Sequence, residues 1–220
     1  MNRGSRVKAF LVGAVALVVL AGCSSGKDTY TPPPTQPTDS GPSSASTAVP
    51  VPRKELLGLA DLPTGWTVDN KPDDAQKLLP SCYKSAMSTK DAKASASAGF
   101  LAGGTSPFLI ESIGYYTGTA AAAKLASASK TLGHCQDLSY VVKKVKITGT
   151  VSATSFPGLG DESRAYTATL SLGGAPVTLY LVVLRSKTQV VSMCYGVVGT
   201  GSILVLQQLA NTAVNNLSTK

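Results

Sequence analysis

The stretch YTATLSLGGAPVTLYLVVLRSKTQVVSMCYGVV, residues 166–198, decides the fold. It predicts three successive β-strands, with a hairpin turn at Gly173-Gly174 between the first two. In the first strand, apolar residues alternate with Thr and Ser, so one face is buried and the other contacts water. In the second strand, residues 177–184 are apolar on both faces. This pattern predicts a central strand that is covered on both sides.

Two amphipathic helices are predicted beside these strands. Ser202 is a typical N-cap residue, and the apolar residues of the closing helix follow at spacings of 3, 4, 3 and 4: Ile203, Leu206, Ala210, Ala213 and Leu217. Thr119 is predicted to cap an alanine-rich helix that has an apolar stripe at Ala121, Leu125, Ala128 and Leu132 and ends at Gly133. The small residues in this stripe allow close packing on a sheet.

The sequence before and between these elements completes the predicted sheet. Residues 99–102 and 107–116 predict a hairpin, and residues 140–151 predict one further strand. Residues 72–79 predict a short helix, whereas residues 83–98 show no clear period and predict a loop or a weak helix. The fold class is therefore α+β, a mainly antiparallel sheet of about five to seven strands with two principal packing helices.

The first residues predict a secretory signal. Basic residues precede an apolar run at residues 9–19, and Leu20 with the small residues Ala21 and Gly22 stands directly before Cys23. This run is too short for a stop-transfer helix. The ending resembles the lipobox of bacterial lipoproteins, which implies cleavage after residue 22 and attachment of a diacylglycerol thioether and an N-acyl chain to Cys23. The resemblance places the mature chain on the extracytoplasmic face of the cell membrane.

Residues 24–52 have the composition of a disordered stalk. They are mostly Ser, Thr, Pro and Gly, with seven prolines between positions 32 and 52. Such a segment buries too little apolar surface to offset its ordering entropy. At about 3.1 Å per residue, an extended polyproline form would span up to about 90 Å. The predicted organisation is a signal peptide (1–22), a lipidated Cys23 with its stalk (23–52), and one folded domain (53–220).

The charge of the chain does not predict nucleic-acid binding. The formal net charge of +8 includes three basic residues of the signal, and without them 17 basic residues face 12 acidic ones. The only dense basic cluster is Lys143, Lys144 and Lys146, without the interleaved aromatic residues that stack on bases. A mild attraction to anionic lipid headgroups or acidic envelope polymers is the alternative to charges that only keep the domain soluble.

Three cysteines remain if Cys23 carries the lipid, so one disulfide and one thiol are expected in an oxidising compartment. Cys194 lies in an apolar strand, where a buried cysteine behaves as a small hydrophobic residue. The predicted bridge joins Cys82 and Cys135 and, in the chain-entropy model, contributes about 3 to 4 kcal/mol. Pairing of Cys194 with either of the other two stays open.

The sequence predicts no catalytic residue, metal site or cofactor. His134 is the only histidine, and immediate neighbours such as Cys135 rarely face each other as a nucleophile and base. The adjacent acids Asp161 and Glu162 predict a charged turn, because two catalytic carboxylates must flank a bond. Three cysteines and one histidine without a Cys-x-x-Cys spacing do not predict a metal site.

Two further features have an alternative interpretation as ligand sites. Residues 199–202, Gly-Thr-Gly-Ser, resemble an anion-binding loop at a helix start but lack the remaining residues of a phosphate fingerprint. We expect a flexible helix entry there. Trp66 could serve as a platform for a ligand, but a lone tryptophan near the start of a domain is more often a core anchor.

The whole chain resembles an actinobacterial, mycobacterial-type cell-envelope lipoprotein. The resemblance rests on the lipobox, the stalk, the closing strand and helix, and two motifs, DLPTGW at residues 61–66 and LGDES at residues 159–163. The domain is similar to the extracellular sensor-like domain of a mycobacterial receptor Ser/Thr kinase and to the related PsbP-like or Mog1-like sandwich. The resemblance implies a ligand-binding cleft, no enzymatic activity, and two disulfides. Cys82 and Cys135 suit one of them, while Cys194 lacks the partner of the second.

The expected function is accordingly non-enzymatic. The domain would bind a small-molecule, lipid or envelope ligand in a groove between sheet and helices. The alternative is a carrier that accepts a lipid or glycolipid in an apolar cavity.

Overall fold

A computed structural model describes residues 53–104 and 106–218 of the chain. Eight antiparallel strands form one sheet in the order β1-β2-β3-β8-β7-β6-β5-β4. The strands are β1 (Trp66–Val68), β2 (Ala94–Ala102), β3 (Phe108–Tyr115), β4 (Asp137–Val142), β5 (Val145–Thr154), β6 (Glu162–Leu172), β7 (Ala175–Ser186) and β8 (Gln189–Val198). The helices are α1 (Pro72–Leu78), α2 (Ser81–Met87), α3 (Ala120–Gly133) and α4 (Ile203–Ser218), preceded by two 3-10 turns, Arg53–Glu55 and Leu59–Asp61.

The sheet is covered on both faces, as the central strand predicts. On β7, Leu179, Leu181 and Val183 point into a cluster with α2 and α3. The alternate residues Val182 and Leu184 point into a second cluster with α4 and the N-terminal turns. We call these sides the α2–α3 face and the α4 face. The antiparallel α+β class is thereby confirmed.

The strand and helix numbers differ from the prediction. The sheet has eight strands instead of five to seven, because residues 140–151 form parts of two strands, β4 and β5, and Trp66–Val68 adds the edge strand β1. The turn between them places Lys143 and Lys144 at φ of 47° and 69°, a conformation that sequence patterns assign to Gly or Asn. Residues 83–98, predicted as loop or weak helix, contribute to α2 and begin β2. The described residues form four helices of seven or more residues instead of two principal ones.

The predicted helical stripes are confirmed. All four stripe residues of α3 are buried, and so are the four that follow Ile203 on α4. Ser202 caps α4 through its Oγ, which accepts a hydrogen bond from the backbone N–H of Leu204 at 3.3 Å. Thr119 precedes α3 but its side chain makes no capping bond. The Gly173-Gly174 turn has φ of 58° and 91°, which glycine adopts without strain.

Within the described ranges, no helix combines the length and apolar character of a bilayer-spanning segment. The predicted signal peptide, Cys23 and the stalk lie outside those ranges.

Candidate functional site

An apolar cleft of about 220 Å³ opens on the α2–α3 face. It lies at the end of the sheet where β6 turns into β7, beside the last residues of β8 and the first of β3. Its lining residues, which define the apolar cleft hereafter, are Leu78, Leu79, Ser106, Phe108, Tyr140, Ile147, Leu170, Leu172, Val177, Leu179, Val197 and Val198. Ten of these twelve side chains are wholly hydrocarbon, so the cleft suits an apolar group.

The cleft lies at an end of the sheet where α2 and α3 contribute no lining residue. Helix α1 contributes only its last residue, Leu78. Large apolar side chains are left partly in solvent at the rim: Leu78 is 46% exposed, Leu172 41% and Val198 60%. Apolar surface grouped in this way marks an interaction site more often than isolated exposed residues do.

The polar atoms of the cleft already have partners. The Oγ of Ser106 accepts a hydrogen bond from the backbone N–H of Val198 at 3.0 Å. The Tyr140 hydroxyl donates to the carbonyl of Leu78 at 3.1 Å. Burial, and to a smaller degree the nearby Cys194, raises the pKa of Tyr140 to about 12, so the phenol stays neutral at physiological pH. The cleft can therefore contact a ligand by apolar packing, without a free charge of its own.

Gly196 shapes one wall of the cleft. It lies opposite Phe108 in the pairing of β3 with β8. A Cβ atom at Gly196 would collide with the Phe108 ring. Glycine at this position therefore lets the ring lie flat over β8 and form the cleft wall.

The cysteine prediction is confirmed in the described part of the chain. Cys82 in α2 and Cys135 just after α3 are joined by a disulfide, with their Cα atoms 6.3 Å apart. Cys194 is a free, fully buried thiol, which excludes its pairing with either of the other two. Burial raises the pKa of the Cys194 thiol, so it is kept as unreactive S–H.

The dismissed catalytic candidates have structural partners. The Nδ1 atom of His134 lies 2.7 Å from the carbonyl oxygen of Lys130 in the preceding turn of helix. The carboxylate of Asp161 accepts hydrogen bonds from Arg185 and from the backbone N–H of Lys187, both at 2.7 Å. Glu162 pairs with Arg164 at 2.8 Å. These contacts fix a helix end and the turns beside β6 and β7.

The other two features also have structural roles. In the loop at 199–202, the carbonyl of Gly201 accepts from the Tyr180 hydroxyl at 2.8 Å, and Ser202 is the cap of α4. Trp66 is half-buried against the α4-face cluster, with its ring centroid 6.5 Å from that of Tyr195. Trp66 therefore packs against the edge of the core instead of lying inside it.

Two buried acids were not predicted from the sequence. Glu111 lies inside the apolar run of β3 and is fully buried on the α4 face. Its Oε2 accepts a hydrogen bond from the backbone N–H of Leu57 at 2.8 Å, while its Oε1 has no partner among the described residues. Burial raises the pKa of Glu111 to about 7; the bond from Leu57 partly opposes this rise, and the nearby Asp61 adds to it.

Glu55 is the second buried acid. It accepts hydrogen bonds from the hydroxyl of Tyr115 and, at 3.0 Å, from the side-chain amide of Gln189. Glu55 and Glu111 together attach the N-terminal segment to β3 and β8. An acidic residue within an apolar strand run is the signal that could have identified Glu111.

Among the residues that the structure describes, no group of three or more His, Cys, Asp or Glu side chains is placed to hold a metal ion.

No protein-family model matches this chain, and no curated protein sequence matches it. Among solved structures, the chain is similar to the extracellular domain of PknH from Mycobacterium tuberculosis, with 14% identity over 70% of this chain and 78% of that one, and a TM-score of 0.48. It is also similar to an uncharacterised protein of Mycobacterium smegmatis, the Rv0999 ortholog, with 14% identity over 70% and 77% and a TM-score of 0.35. The predicted resemblance to a mycobacterial kinase's extracellular domain is thus confirmed, but at this identity no residue's role passes to this chain.

Proposed function

We propose that this chain is a non-enzymatic binding protein of the cell envelope, and that the apolar cleft holds a hydrocarbon group of its ligand, such as a segment of an acyl chain. The observation that carries this proposal is the cleft itself: hydrocarbon walls, an exposed apolar rim and polar atoms that are already hydrogen-bonded. Transfer of apolar surface from water to such walls contributes about 25 cal/mol per Å².

The lining residues favour binding over chemistry. A reacting group would need an acid, a base or a nucleophile within hydrogen-bond reach. In the described lining, the hydroxyls of Ser106 and Tyr140 are the polar side-chain groups, and both have backbone partners. The arrangement offers a shaped apolar surface, which is what a binding protein requires.

The size of the cleft distinguishes the two candidate functions. Pockets that enclose a whole small molecule have volumes of about 300 to 1,000 Å³. At about 220 Å³, the apolar cleft accommodates part of a ligand. A lipid or glycolipid carrier, the second candidate, would have to enclose its acyl chains, so the volume favours recognition of one exposed hydrocarbon segment.

The proposal includes the membrane anchor. The lipobox ending at Cys23 supports lipid attachment, and the composition of residues 24–52 supports an extended stalk. The domain would then meet its ligand on the extracytoplasmic face of the membrane.

A photoactivatable fatty acid tests the cleft. The full chain in lipid nanodiscs is incubated with decanoic acid that carries a diazirine, irradiated, and mapped by peptide mass spectrometry. We expect label on cleft residues, and roughly fivefold less in Leu172→Lys, because a charge at the rim opposes burial of hydrocarbon. Leu204→Lys is the matched control, since Leu204 is 62% exposed and lies outside the cleft.

Two outcomes contradict the proposal: label that avoids the cleft, or equal labelling of the two lysine variants. Native mass spectrometry of the chain from its own membrane adds a separate test of the carrier. A complete lipid retained in the absence of detergent would favour the carrier over recognition of a hydrocarbon segment.

A further inference from the structure

A second and larger cavity, of about 930 Å³, follows the free part of strand β2. Residues 95–98 of β2 form its floor. Residues 53–59 form one wall, and the end of α2 with residues 88–90 forms the other. We call this cavity the β2 groove. It is separate from the apolar cleft, with which it shares no lining residue.

The floor of the groove is an unpaired strand edge. Strand β1 pairs only with residues 100–102 of β2. One more bond follows, from the backbone N–H of Asp69 to the carbonyl of Gly99 at 2.8 Å, and the chain then turns away into α1. In the described chain no strand lies beside residues 94–98 on this side.

The direction of the free backbone groups follows from the pairing. Groups on an antiparallel strand point alternately to its two neighbours. The carbonyl of Gly99 points toward β1, whereas the N–H of Ala102 bonds to the carbonyl of Pro107 on the β3 side at 2.9 Å. Ser95 and Ser97 are two and four residues from Gly99, so their N–H and C=O groups point into the groove. Both residues are exposed and small, which leaves the edge accessible.

The walls of the groove carry positive charge. Arg53, Lys84 and Lys90 line it, and no Asp or Glu is among its described lining residues. None of these three cations forms an ion pair with a described residue. Apolar side chains also line the groove, including Val68, which is 50% exposed, and Met87, which is buried. The groove therefore combines free backbone hydrogen-bonding groups of a strand edge, three cationic side chains and apolar side chains.

We propose that the β2 groove binds an extended acidic peptide segment of a partner protein, which adds a strand to β2 at Ser95 and Ser97. In strand addition, main-chain hydrogen bonds provide affinity, while pockets for alternate side chains provide specificity. Carboxylates of the peptide face Arg53, Lys84 and Lys90, and its apolar residues face Val68 and Met87. A second copy of this chain fits poorly, because pairing two β2 edges would bring like charges together.

Fluorescence anisotropy with a defined probe tests this inference. The probe is a fluorescein-labelled octapeptide in which Glu alternates with Val and Thr, and the full chain is held in nonionic detergent micelles. We expect saturable binding that weakens with salt. We also expect roughly tenfold weaker binding when alternate peptide nitrogens are methylated, because each methyl group removes a donor and blocks strand pairing.

Variants of the chain locate the site. Ser97→Pro removes an N–H that points into the groove, and proline is tolerated on a strand edge where the N–H faces outward. We expect roughly tenfold weaker binding for Ser97→Pro and a change of less than about twofold for Ser97→Ala, which keeps the N–H. The pair Lys84→Glu and Lys90→Glu should weaken binding roughly tenfold. Lys143→Glu, on the opposite edge of the sheet, is the matched control.

Three results would overturn the inference: equal binding of a probe with Lys in place of Glu, equal binding of the N-methylated probe, or a peptide-free chain that dimerises until Ser97→Pro makes it monomeric. The N-methylated probe needs no variant chain, so its result stands even if Ser97→Pro fails to fold.

Discussion

Glu111 is a carboxyl group placed in the interior of the sheet, and it makes stability depend on pH. Burial raises its pKa from 4.5 to about 7 in the folded chain. The folded state therefore binds the proton more tightly than the unfolded state does. The protonated group therefore contributes fully to the unfolding free energy below about pH 4.5, and this contribution is lost as the pH rises through 7.

Replacing Glu111 with Gln should remove this dependence. Gln cannot ionise, and its carbonyl oxygen can still accept the hydrogen bond from the backbone N–H of Leu57. We expect Glu111→Gln to be more stable than wild type at pH 8, by at most roughly 3 kcal/mol, and nearly equal to it at pH 5. Urea unfolding at the two pH values measures the difference.

Glu162→Gln is the matched control for this prediction, because Glu162 is partly exposed and pairs with Arg164 at the surface. It should shift stability by less than about 1 kcal/mol at either pH. A wild-type stability that is the same at pH 5 and pH 8 would show that Glu111 does not titrate between them.

Cys194 and Glu111 show what a single position in the sequence can predict. The buried thiol of Cys194 follows from its apolar strand alone. The role of Glu111 depends on the N–H of Leu57, which is 54 positions away in the chain. No local pattern links those two residues, so only the packing of the N-terminal segment on β3 could identify the contact.

The disulfide connects α2 to the end of α3, two elements that pack side by side on the sheet. We expect the double variant Cys82→Ser, Cys135→Ser to lose about 3 to 4 kcal/mol of unfolding free energy, because the unfolded chain regains the entropy of a 53-residue separation. Urea unfolding measures the loss.

Thiol labelling checks the same bridge in the unmodified chain. Cys194 should resist iodoacetamide in the native protein, since it is buried and its pKa is raised, and should react once the chain unfolds. In the unfolded chain, the described cysteines should yield one labelled thiol before reduction and three after it. A native chain in which Cys194 reacts at once would contradict this description of the strand.

The elements that sequence analysis predicted well are those with strong apolar contrast. The stripes of α3 and α4 and the alternation in β6 separate buried from exposed positions clearly. The start of β2 reads Ala-Ser-Ala-Ser-Ala, which has little such contrast. The β4–β5 turn has two lysines at positive φ, which no turn pattern indicates. Both missed features lie where packing between elements outweighs local preference.

Both cavities depend on the order of strands across the sheet. The apolar cleft collects residues from α1, the loop before β3, and six strands. The amino-acid sequence shows that these strands are apolar, but it does not show which strand ends lie next to each other in the sheet. The fold class could therefore be predicted from sequence, whereas the cleft and the β2 groove required the topology.

The proposed anchor at Cys23 decides where the cleft and the groove would operate. We expect the chain purified from its native membrane to carry acyl mass on an N-terminal Cys23, and we expect Cys23→Ala to leave the membrane fraction. A single myristoyl-sized chain binds a bilayer only reversibly, whereas two or more acyl chains give stable attachment. Intact mass spectrometry and membrane fractionation of the wild type and the variant measure both effects.

The result of this experiment tests the anchor independently of the folded domain. If wild type has no acyl mass and Cys23→Ala is equally membrane-bound, the lipobox proposal is wrong, and residues 24–52 lose their proposed role as a stalk above the bilayer. The apolar cleft and the β2 groove lie wholly within residues 53–198, so the binding tests of both sites do not depend on the anchor. If acyl mass is present, the stalk length of up to about 90 Å sets how far from the membrane a ligand can be met.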